Sequence, residues 1–214
     1  MEHQLLEQLR TAYDAMVEEY TRKSFPAWKA AERARALTMF QMEGRTTLLE
    51  IGVGAGRDSR FFQQQGLRVT CTDLSPAMVA HCRAQGLDAH VVPFDELDRF
   101  FAERRFAAIY AVNCLLHVPK AALSAILDKI HAILEPDGLF YWGQYGGIDK
   151  EGVWTGDHYR PQRFFARYTD AQFQQLPGPR FNIEAFCMIP NEVHADGDRP
   201  NCFHSLLLRK RSSL

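Results

Sequence analysis

Apolar residues recur at two different spacings along the 214-residue chain. Between residues 2 and 22 they stand three and four positions apart, which predicts one amphipathic helix. Pro26 can begin a second helix that runs toward Gly44. Beyond residue 46, short apolar runs alternate with helical stretches, the pattern of a parallel sheet covered on both faces. The pattern predicts an α/β fold preceded by two extra helices.

Turn residues divide the alternating part of the chain into elements. Gly66 and Gly86 each follow a predicted helix, Pro119 begins a longer one, and residues 135–138 interrupt it before the next strand. Thr169 fits a capping box at the start of a short helix. The last two apolar runs predict a hairpin. The predicted strands cover residues 47–51, 67–72, 89–92, 106–112, 139–142, 181–189 and 203–209.

The most distinctive stretch is the turn after the first predicted strand. Gly52, Gly54 and Gly56 stand at alternate positions there, and helix-forming sequence follows. Because glycine has no Cβ, the chain can turn tightly and approach a ligand closely. A helix that starts after these glycines directs its unpaired N–H groups toward the end of the strand. The spacing departs from G-x-G-x-x-G, since Arg57 occupies the third glycine position, and Glu50 precedes the first glycine by two residues.

A second acid ends the next predicted strand. Asp73 lies about 20 residues past the glycines, where an acid accepts hydrogen bonds from ribose hydroxyls in doubly wound sheets. Ser75 can then cap a helix, and Pro76 suits its first turn. The glycine turn and Asp73 together favour a ligand that contains a ribose.

The composition narrows the class of protein. Lys and Arg number 25 and Asp and Glu 26, for a net charge of -1, so no basic surplus favours nucleic acid. The five cysteines are scattered without a C-x-x-C pair, which is typical of reduced thiols in the cytoplasm. The N-terminal residues lack the apolar region of a signal peptide, and no apolar run approaches the roughly 18 residues of a membrane span. We expect a soluble, cytoplasmic chain with no membrane partner.

Three motifs together resemble those of class I S-adenosylmethionine-dependent methyltransferases that act on small molecules. They are Glu50-x-Gly52-x-Gly54-x-Gly56, Cys71-Thr72-Asp73-Leu74-Ser75-Pro76 and Leu115-Leu116-His117-Val118-Pro119. The resemblance implies a doubly wound, Rossmann-like sheet of seven strands, mostly parallel with an antiparallel last strand, with helices on both faces and extra N-terminal helices. It also implies S-adenosyl-L-methionine as cofactor and S-adenosyl-L-homocysteine as product. In that family the glycine turn passes under the methionine part and the acid matching Asp73 binds both ribose hydroxyls.

We expect a single domain over residues 1–214 with four parts. The parts are an N-terminal helical cap over 1–44, a cofactor-binding core over 45–145, a substrate-side insertion over 146–180 and a C-terminal β-hairpin over 181–210.

The resemblance extends to residues that flank the two acids. Tyr20 belongs to a tyrosine-containing leader similar to one that folds over the cofactor in small-molecule methyltransferases. Pro93 stands about where relatives carry an acid near adenine, which leaves Phe94 or Asp95 for that place. Asn113 is a short polar residue at a strand end, suited to a backbone or cofactor contact. The candidate cofactor-binding residues are Tyr20, Glu50, Gly52, Gly54, Gly56, Arg57, Asp73, Leu74, Phe94, Asp95 and Asn113.

The acceptor side is predicted beyond the fourth and fifth strands, because ligands of open α/β sheets bind at the carboxyl ends of strands. His117 lies on the turn after the fourth strand; it either acts on the acceptor or only caps the following helix. A long aromatic segment over residues 146–165 follows the fifth strand, and such segments are usually functional. The candidate catalytic residues are His117, Tyr159 and His158. A base matters only for an acceptor that arrives protonated.

The predicted function is methyl transfer from S-adenosylmethionine to a small-molecule acceptor. A protein that binds the cofactor without catalysis is one alternative, and an NAD-dependent oxidoreductase is another, although Arg57 stands where the latter needs glycine. No Asn/Asp-Pro-Pro-Tyr/Phe motif follows the fourth strand, so nucleic acid is not an expected substrate. We expect no metal, since the C-terminal residues with ligand atoms lack a structural-zinc spacing. Those residues are His194, Asp196, Asp198, Cys202 and His204.

Overall fold

Seven hydrogen-bonded strands form the central sheet. The computed structural model describes residues 3–22, 24–190 and 202–212. The strands in that part of the chain are β1 (Thr47–Ile51), β2 (Arg68–Asp73), β3 (Asp88–Val91), β4 (Phe106–Val112), β5 (Leu134–Gly146), β6 (Lys150–Val153), β7 (Phe164–Arg167), β8 (Phe181–Pro190) and β9 (Cys202–Lys210). The central sheet has the order β3-β2-β1-β4-β5-β9-β8, and β6 pairs with β7 in a small separate sheet.

Helices connect these strands and precede the first of them. They are α1 (His3–Asp14), α2 (Val17–Arg22), α3 (Ala27–Met42), α4 (Arg57–Gln64), α5 (Pro76–Ala84), α6 (Leu97–Phe100), α7 (Lys120–Ile133) and α8 (Asp170–Gln175). Short 3-10 turns lie at Phe94–Glu96, Leu115–His117 and Gly178–Arg180. None of the described helices is long and apolar enough to cross a membrane.

The order of strands places a crevice beside β1. The chain moves outward from β1 to β2 and β3 and then returns to β4 on the other side of β1, with all of these pairs parallel. Such a reversal leaves the carboxyl ends of β1 and β4 free of crossing connections, which is where doubly wound sheets bind ligands. The final strand, β9, runs antiparallel to both β5 and β8. The predicted seven-stranded, mostly parallel sheet is confirmed.

Two apolar layers bury the sheet because neighbouring residues of a strand point to opposite faces. In β1, Leu48 packs with residues of α3 and α4, whereas Leu49 packs with residues of α7. In β4, Ala108 belongs to the same apolar cluster as Leu48, and Ile109 belongs to the same cluster as Leu49. Strands covered on both faces are apolar at nearly every position, which explains the continuous apolar runs in the sequence.

Three elements differ from the sequence prediction. The expected single helix over residues 2–22 is wrong within the described part, because the chain turns at residues 15–16 and α2 starts afresh. Asp14 is the last residue of α1. Its carboxylate accepts hydrogen bonds at the start of α5, from the Ser75 hydroxyl (2.5 Å) and the Ala77 N–H (3.1 Å). β5 begins at Leu134 rather than Leu139, with residues 135–138 as a bulge between paired positions.

The segment between β5 and β8 carries structure that the sequence did not predict. β6 and β7 form an antiparallel pair beside the turn that holds His117. The predicted capping box of α8 is confirmed: the Gln172 N–H donates to the Thr169 hydroxyl (3.3 Å), and the Thr169 N–H donates to the Gln172 side chain (3.0 Å). The predicted loop over residues 191–201 lies outside the described residues.

Gly56 is expected to be irreplaceable for packing. It adopts a φ of 75°, and a Cβ there would lie 2.7 Å from Leu87 Cδ1 and 3.0 Å from Cys82 Sγ. Gly86 has a similar φ of 81° with nothing within 4 Å of its Cβ position. A substitution at Gly86 therefore measures the cost of the left-handed backbone alone, without a steric clash. We expect Gly86→Ala to lower the free energy of unfolding by about 1–2 kcal/mol. Gly56→Ala should lower the free energy of unfolding by about 1–3 kcal/mol more than Gly86→Ala does, because the added Cβ also clashes with its neighbours.

Urea unfolding of the two variants measures the difference. Equal losses would show that the space around Gly56 relaxes without cost.

Candidate functional site

The candidate site is a two-part cavity at the carboxyl ends of β1, β2 and β4. The first chamber has a volume of about 170 Å³ and lies between the glycine turn, the start of α4 and residues 24–29. The second chamber has about 40 Å³ and lies between the same turn, the end of β2 and the α1 helix. Tyr20, Gly52, Val112 and Asn113 border both chambers. The two chambers therefore form one site divided by the Tyr20 ring and its neighbours.

The glycine turn leaves no room for side chains. Gly52 has a φ of 74°, and a Cβ there would lie 2.3 Å from Cys114 Cβ. Gly54 has a φ of 52°, and its Cβ would lie 2.8 Å from the Tyr20 ring. Both positions combine a left-handed backbone with a close neighbour, so only glycine fits. Gly56 borders neither chamber and serves the packing of α4 instead.

The Asp73 carboxylate ends β2 and is held by backbone donors. Its Oδ2 accepts a hydrogen bond from the Gly54 N–H (2.9 Å), and its Oδ1 accepts one from the Ser75 N–H (2.9 Å). Burial raises the pKa of Asp73, although these backbone hydrogen bonds act in the opposite direction. A carboxylate oxygen has two lone pairs, so each oxygen keeps one for a further donor in the second chamber. The arrangement is preorganised to accept two hydroxyl groups.

Two acids, of which Glu50 is buried and Asp58 partly buried, border the first chamber. Glu50 is 4% exposed and accepts a hydrogen bond of 2.5 Å from the Ser59 hydroxyl. Burial and the nearby charge of Asp58 raise the pKa of Glu50 well above its usual value. Asp58 pairs with the Arg33 guanidinium at 3.1 Å. A cationic ligand group in this chamber would favour the ionised form of Glu50, which burial alone disfavours.

Arg57 attaches the N-terminal segment to the site. It begins α4 and donates hydrogen bonds to the carbonyls of Tyr20 (3.2 Å) and Thr21 (2.7 Å). These bonds place Tyr20 against the glycine turn. Arg57 stands at the position of the third glycine of a dinucleotide-binding turn. Its side chain holds residues 20–21 beside the cavity.

Asn113 borders both chambers and carries a buried oxygen without a partner among the described residues. Its backbone adopts a φ of 54°, and its N–H donates to the Gly143 carbonyl (2.8 Å). Its buried Oδ1 accepts no hydrogen bond from any described residue. Buried polar atoms without partners are rare in folded proteins and often mark functional positions. Asn113 can therefore accept a hydrogen bond from a ligand.

A chain of polar side chains closes the far side of the second chamber. The Tyr13 hydroxyl lies 2.9 Å from His117 Nε2 and accepts a hydrogen bond from Arg163 (3.0 Å). His117 Nδ1 lies 2.7 Å from the Phe164 carbonyl, which can only accept, so Nδ1 carries the proton. His117 Nε2 then accepts from the Tyr13 hydroxyl. Asp157, whose side chain is fully buried, holds Arg163 through two hydrogen bonds of 2.8 and 2.9 Å.

Burial controls the protonation of this chain. Burial, followed by the positive charge of Arg163, lowers the pKa of His117 to about 3. Burial also raises the pKa of the Tyr13 hydroxyl. Burial acts to raise the pKa of Asp157, but the hydrogen bonds from Arg163 outweigh it and the pKa is lowered. At neutral pH His117 is therefore a neutral acceptor that orients the Tyr13 hydroxyl.

The structure brings together some of the predicted site residues and separates others. Tyr159 is 1% exposed and borders neither chamber; its ring lies 3.4 Å from the Arg163 guanidinium carbon. His158 is exposed and lies 3.2 Å from Glu19 of α2, at the rim. Leu74 and Phe94 border the second chamber, whereas Asp95 borders neither. The catalytic and cofactor-binding roles of all these residues remain predictions.

Asp157 was not predicted as a residue of this site, whereas the sequence indicated Tyr13 near the cofactor and Arg163 at the acceptor-side rim without connecting the two. Tyr13, Asp157 and Arg163 meet at one point although Tyr13 and Arg163 lie 150 positions apart. Tyr13 belongs to the tyrosine-containing leader and Arg163 to the long segment after the fifth strand, but no sequence pattern connects the two. Asp157 stood among aromatic and charged residues without any periodic pattern that marks a buried acid.

A family model described as "Methyltransferase domain" matches residues 48–138. Over these residues, which make up less than half of the chain, the chain is similar to methyltransferase domains. The matched residues include the glycine turn, Asp73, Asn113 and His117, which all border the cavity. No curated protein sequence matches the chain.

Solved structures share the methyltransferase fold. A 1,6-didemethyltoxoflavin-N1-methyltransferase from Burkholderia thailandensis has a TM-score of 0.73 and 23% identity, covering 99% of this chain and 91% of its own. DhpI in complex with SAH has a TM-score of 0.64 and 21% identity, with full coverage of both chains. The N-methyltransferase NodS from Bradyrhizobium japonicum has a TM-score of 0.66 and 13% identity, covering 94% and 100%. Because these sequence identities are all below 25%, the similarity to the three structures shows a shared fold only.

The buried, neutral His117 gives stability a specific pH dependence. Below about pH 6.5 the unfolded chain binds a proton at His117, whereas the folded chain does so only near its pKa of about 3. Stability therefore falls as the pH drops between these values. From pH 7.5 to pH 5 we expect the wild type to lose about 2 kcal/mol more free energy of unfolding than His117→Gln.

Urea unfolding at the two pH values measures this, with His3→Gln at the exposed start of α1 as the matched control. Equal losses in the wild type and His117→Gln would show that His117 does not lie neutral and buried.

Proposed function

We propose that the chain transfers a methyl group from S-adenosylmethionine to a small-molecule acceptor. The observation that carries the proposal is Asp73, whose two oxygens face a cavity shared with the glycine turn and Asn113. The comparisons support it: the Burkholderia relative was solved with 1,6-didemethyltoxoflavin and S-adenosylhomocysteine, and DhpI with SAH. S-adenosylmethionine supplies an electrophilic methyl group bonded to a sulfonium sulfur.

The residues of the two chambers fit the parts of this cofactor. Asp73 can accept both ribose hydroxyls, and Leu74 and Phe94 offer apolar contact for a purine. Glu50 and Asp58 can neutralise an ammonium group in the first chamber. The free Oδ1 of Asn113 can accept one further hydrogen bond. The donor set thus suits a ligand with a ribose at one end and a cationic amino acid at the other.

The N-terminal segment must move for this ligand to bind. Pockets for cofactor-sized ligands typically have volumes of about 300–1,000 Å³. The second chamber has about 40 Å³ because Leu9, Tyr13 and Tyr20 fill it. We propose that α1 and α2 open and then close over the bound cofactor, while α3 stays packed on the sheet. Closure excludes water and fixes the acceptor near the reacting carbon, which is most of what a methyl transfer needs.

We propose that Tyr13 contacts the acceptor and that His117 positions it. The neutral His117 accepts the Tyr13 hydroxyl proton, and Arg163 donates to the Tyr13 oxygen. One lone pair of that oxygen is left for an N–H or O–H group of the acceptor. Tyr159 supports Arg163 through its ring face, and His158 joins the segment over residues 157–163 to α2. The acceptor class is thus a small molecule with an N–H or O–H donor.

Asp73→Asn should weaken the binding of S-adenosylhomocysteine. The asparagine NH2 would face the N–H of either Gly54 or Ser75, so a donor would meet a donor. Hydrogen bonds to a charged group are worth about 1.5–3 kcal/mol, which corresponds to a loss of about 10- to 150-fold in affinity. Calorimetry measures the dissociation constant. Asp98→Asn, at an acid paired with Lys129 outside the cavity, is the control and should stay within about twofold.

Unchanged affinity in a folded Asp73→Asn protein would place the ribose elsewhere. If the wild type binds NAD more tightly than S-adenosylhomocysteine, the chain is an oxidoreductase rather than a methyltransferase.

Tyr13→Phe should slow methyl transfer and leave cofactor affinity within about twofold, because the ring stays and only the hydroxyl is lost. The loss of a hydroxyl group that orients the acceptor is expected to reduce the rate at least about tenfold. The assay measures release of S-adenosylhomocysteine from S-adenosylmethionine with a panel of N–H and O–H heteroaromatic compounds that includes 1,6-didemethyltoxoflavin.

Tyr168→Phe is the matched control. The Tyr168 hydroxyl is buried and has no hydrogen-bond partner among the described residues, so its loss should not change the rate. If no compound in the panel is methylated although S-adenosylhomocysteine binds tightly, the chain is a cofactor-binding protein without this activity.

A further inference from the structure

Three side chains with metal-binding atoms converge beside the carboxyl end of β5. His204 Nε2 lies 3.0 Å from Cys202 Sγ and 2.8 Å from Asp170 Oδ1. Cys202 and His204 stand two residues apart on β9, so they share one face of the strand. Asp170 is the first residue of α8. The three ligand atoms lie within 4.8 Å of one another.

His204 is held rigidly in this position. The residue is fully buried, with its ring stacked on Phe173 at a centroid distance of 5.1 Å and close to Phe186 at 5.8 Å. A Cβ at Gly146, across the strand pair, would lie 2.6 Å from His204 Nδ1, so only glycine leaves room for the ring. The imidazole therefore cannot turn away from Asp170 and Cys202 without disturbing the core.

No protonation state of His204 satisfies all of these atoms. His204 Nδ1 is buried without a hydrogen-bond partner among the described residues. If Nε2 carries the proton, Nδ1 is a buried acceptor with no donor. If Nδ1 carries it, Nδ1 is a donor with no acceptor, and the Nε2 lone pair faces the Asp170 carboxylate at 2.8 Å. A doubly protonated ring again leaves the Nδ1 proton unpaired.

A cation bound to Nε2 would be shared by all three ligand atoms, with the imidazole proton on Nδ1, which has no partner among the described residues. The Nε2 lone pair, the thiolate and the carboxylate would then point at one positive charge instead of at each other. We propose that Asp170, Cys202 and His204 form a binding site for one zinc-type divalent metal ion. Thiolate, imidazole and carboxylate are all zinc ligands, and three of them leave a fourth position for water.

The geometry allows such an ion with small movements. Tetrahedral zinc holds nitrogen, oxygen and sulfur ligands at about 2.0–2.3 Å, so neighbouring ligand atoms stand about 3.3–3.6 Å apart. The present distances of 2.8 and 3.0 Å must therefore widen by about half an ångström. The Asp170 side chain is half exposed, so it can make that movement and admit the ion from solvent.

The site fixes structure rather than taking part in methyl transfer. None of its three residues borders either chamber of the cofactor cavity. An ion there would join α8 to β9 and so hold the segment over residues 146–180 to the sheet. Asp170 is separated from His204 by 34 positions, which explains why the ligand spacing expected for zinc was absent from the C-terminal sequence.

Cobalt(II) titration of the full-length chain, after removal of metals with a chelator, tests the proposal. We expect one Co²⁺ per chain, a near-ultraviolet absorption band from the cobalt–thiolate bond, and loss of that band when Zn²⁺ is added. Cys202→Ser should abolish the band, and Asp170→Asn should weaken Co²⁺ binding at least about tenfold. Cys187→Ser, at a partly buried thiol on β8, is the matched control and should keep the band.

Thermal unfolding gives a second readout that does not depend on spectroscopy. Zn²⁺ should raise the melting temperature of the wild type and of Cys187→Ser, because a ligand that binds only the folded state stabilises it. It should not raise that of Cys202→Ser. A wild type without a thiolate band, or a band that persists in Cys202→Ser, overturns the proposal. Neither measurement involves the methyl donor, so the outcome is independent of the proposed methyl transfer.

Discussion

The hydrogen bond from the Gly54 N–H to Asp73 joins the two strand ends on which the candidate site depends. It can form only because the chain after β1 adopts left-handed backbone angles that bring this N–H toward β2. The same turn exposes its backbone to the cavity and leaves space for Tyr20. A side chain at Gly52 or Gly54 would therefore disturb the Asp73 carboxylate, the cavity wall and the N-terminal cover together.

The N-terminal segment is attached to this site by contacts that differ in chemistry. Asp14 caps the start of α5, Arg57 holds the carbonyls of residues 20–21, and the Tyr13 hydroxyl lies between His117 and Arg163. These three contacts are polar; the two apolar clusters that cover the sheet contain no residue of α1, in which Leu9 and Ala12 are buried. Such an attachment can open at a low free-energy cost, as elements that admit ligands must.

Local sequence patterns predicted the parts of the fold that local physics decides. The glycine turn, Asp73, the Ser75 cap and the strand over residues 106–112 were all predicted from neighbouring residues. The break between α1 and α2 was not, because it depends on Asp14 meeting α5, 61 positions away. The role of His117 was ambiguous for the same reason. Its neutrality results from burial by α1 and β7 and from the charge of Arg163, none of which a sequence pattern around residue 117 contains.

We infer that Asp73 binds the ribose of the cofactor and that the Tyr13–His117 pair of the same chamber faces the cofactor sulfur across the space for the acceptor. A crystal structure with S-adenosylhomocysteine tests this most directly. We expect that both ribose hydroxyls donate to the Asp73 carboxylate and that the sulfur faces the Tyr13 hydroxyl across the space for the acceptor. A ribose bound away from Asp73, or a sulfur that faces away from Tyr13 and His117, would contradict it.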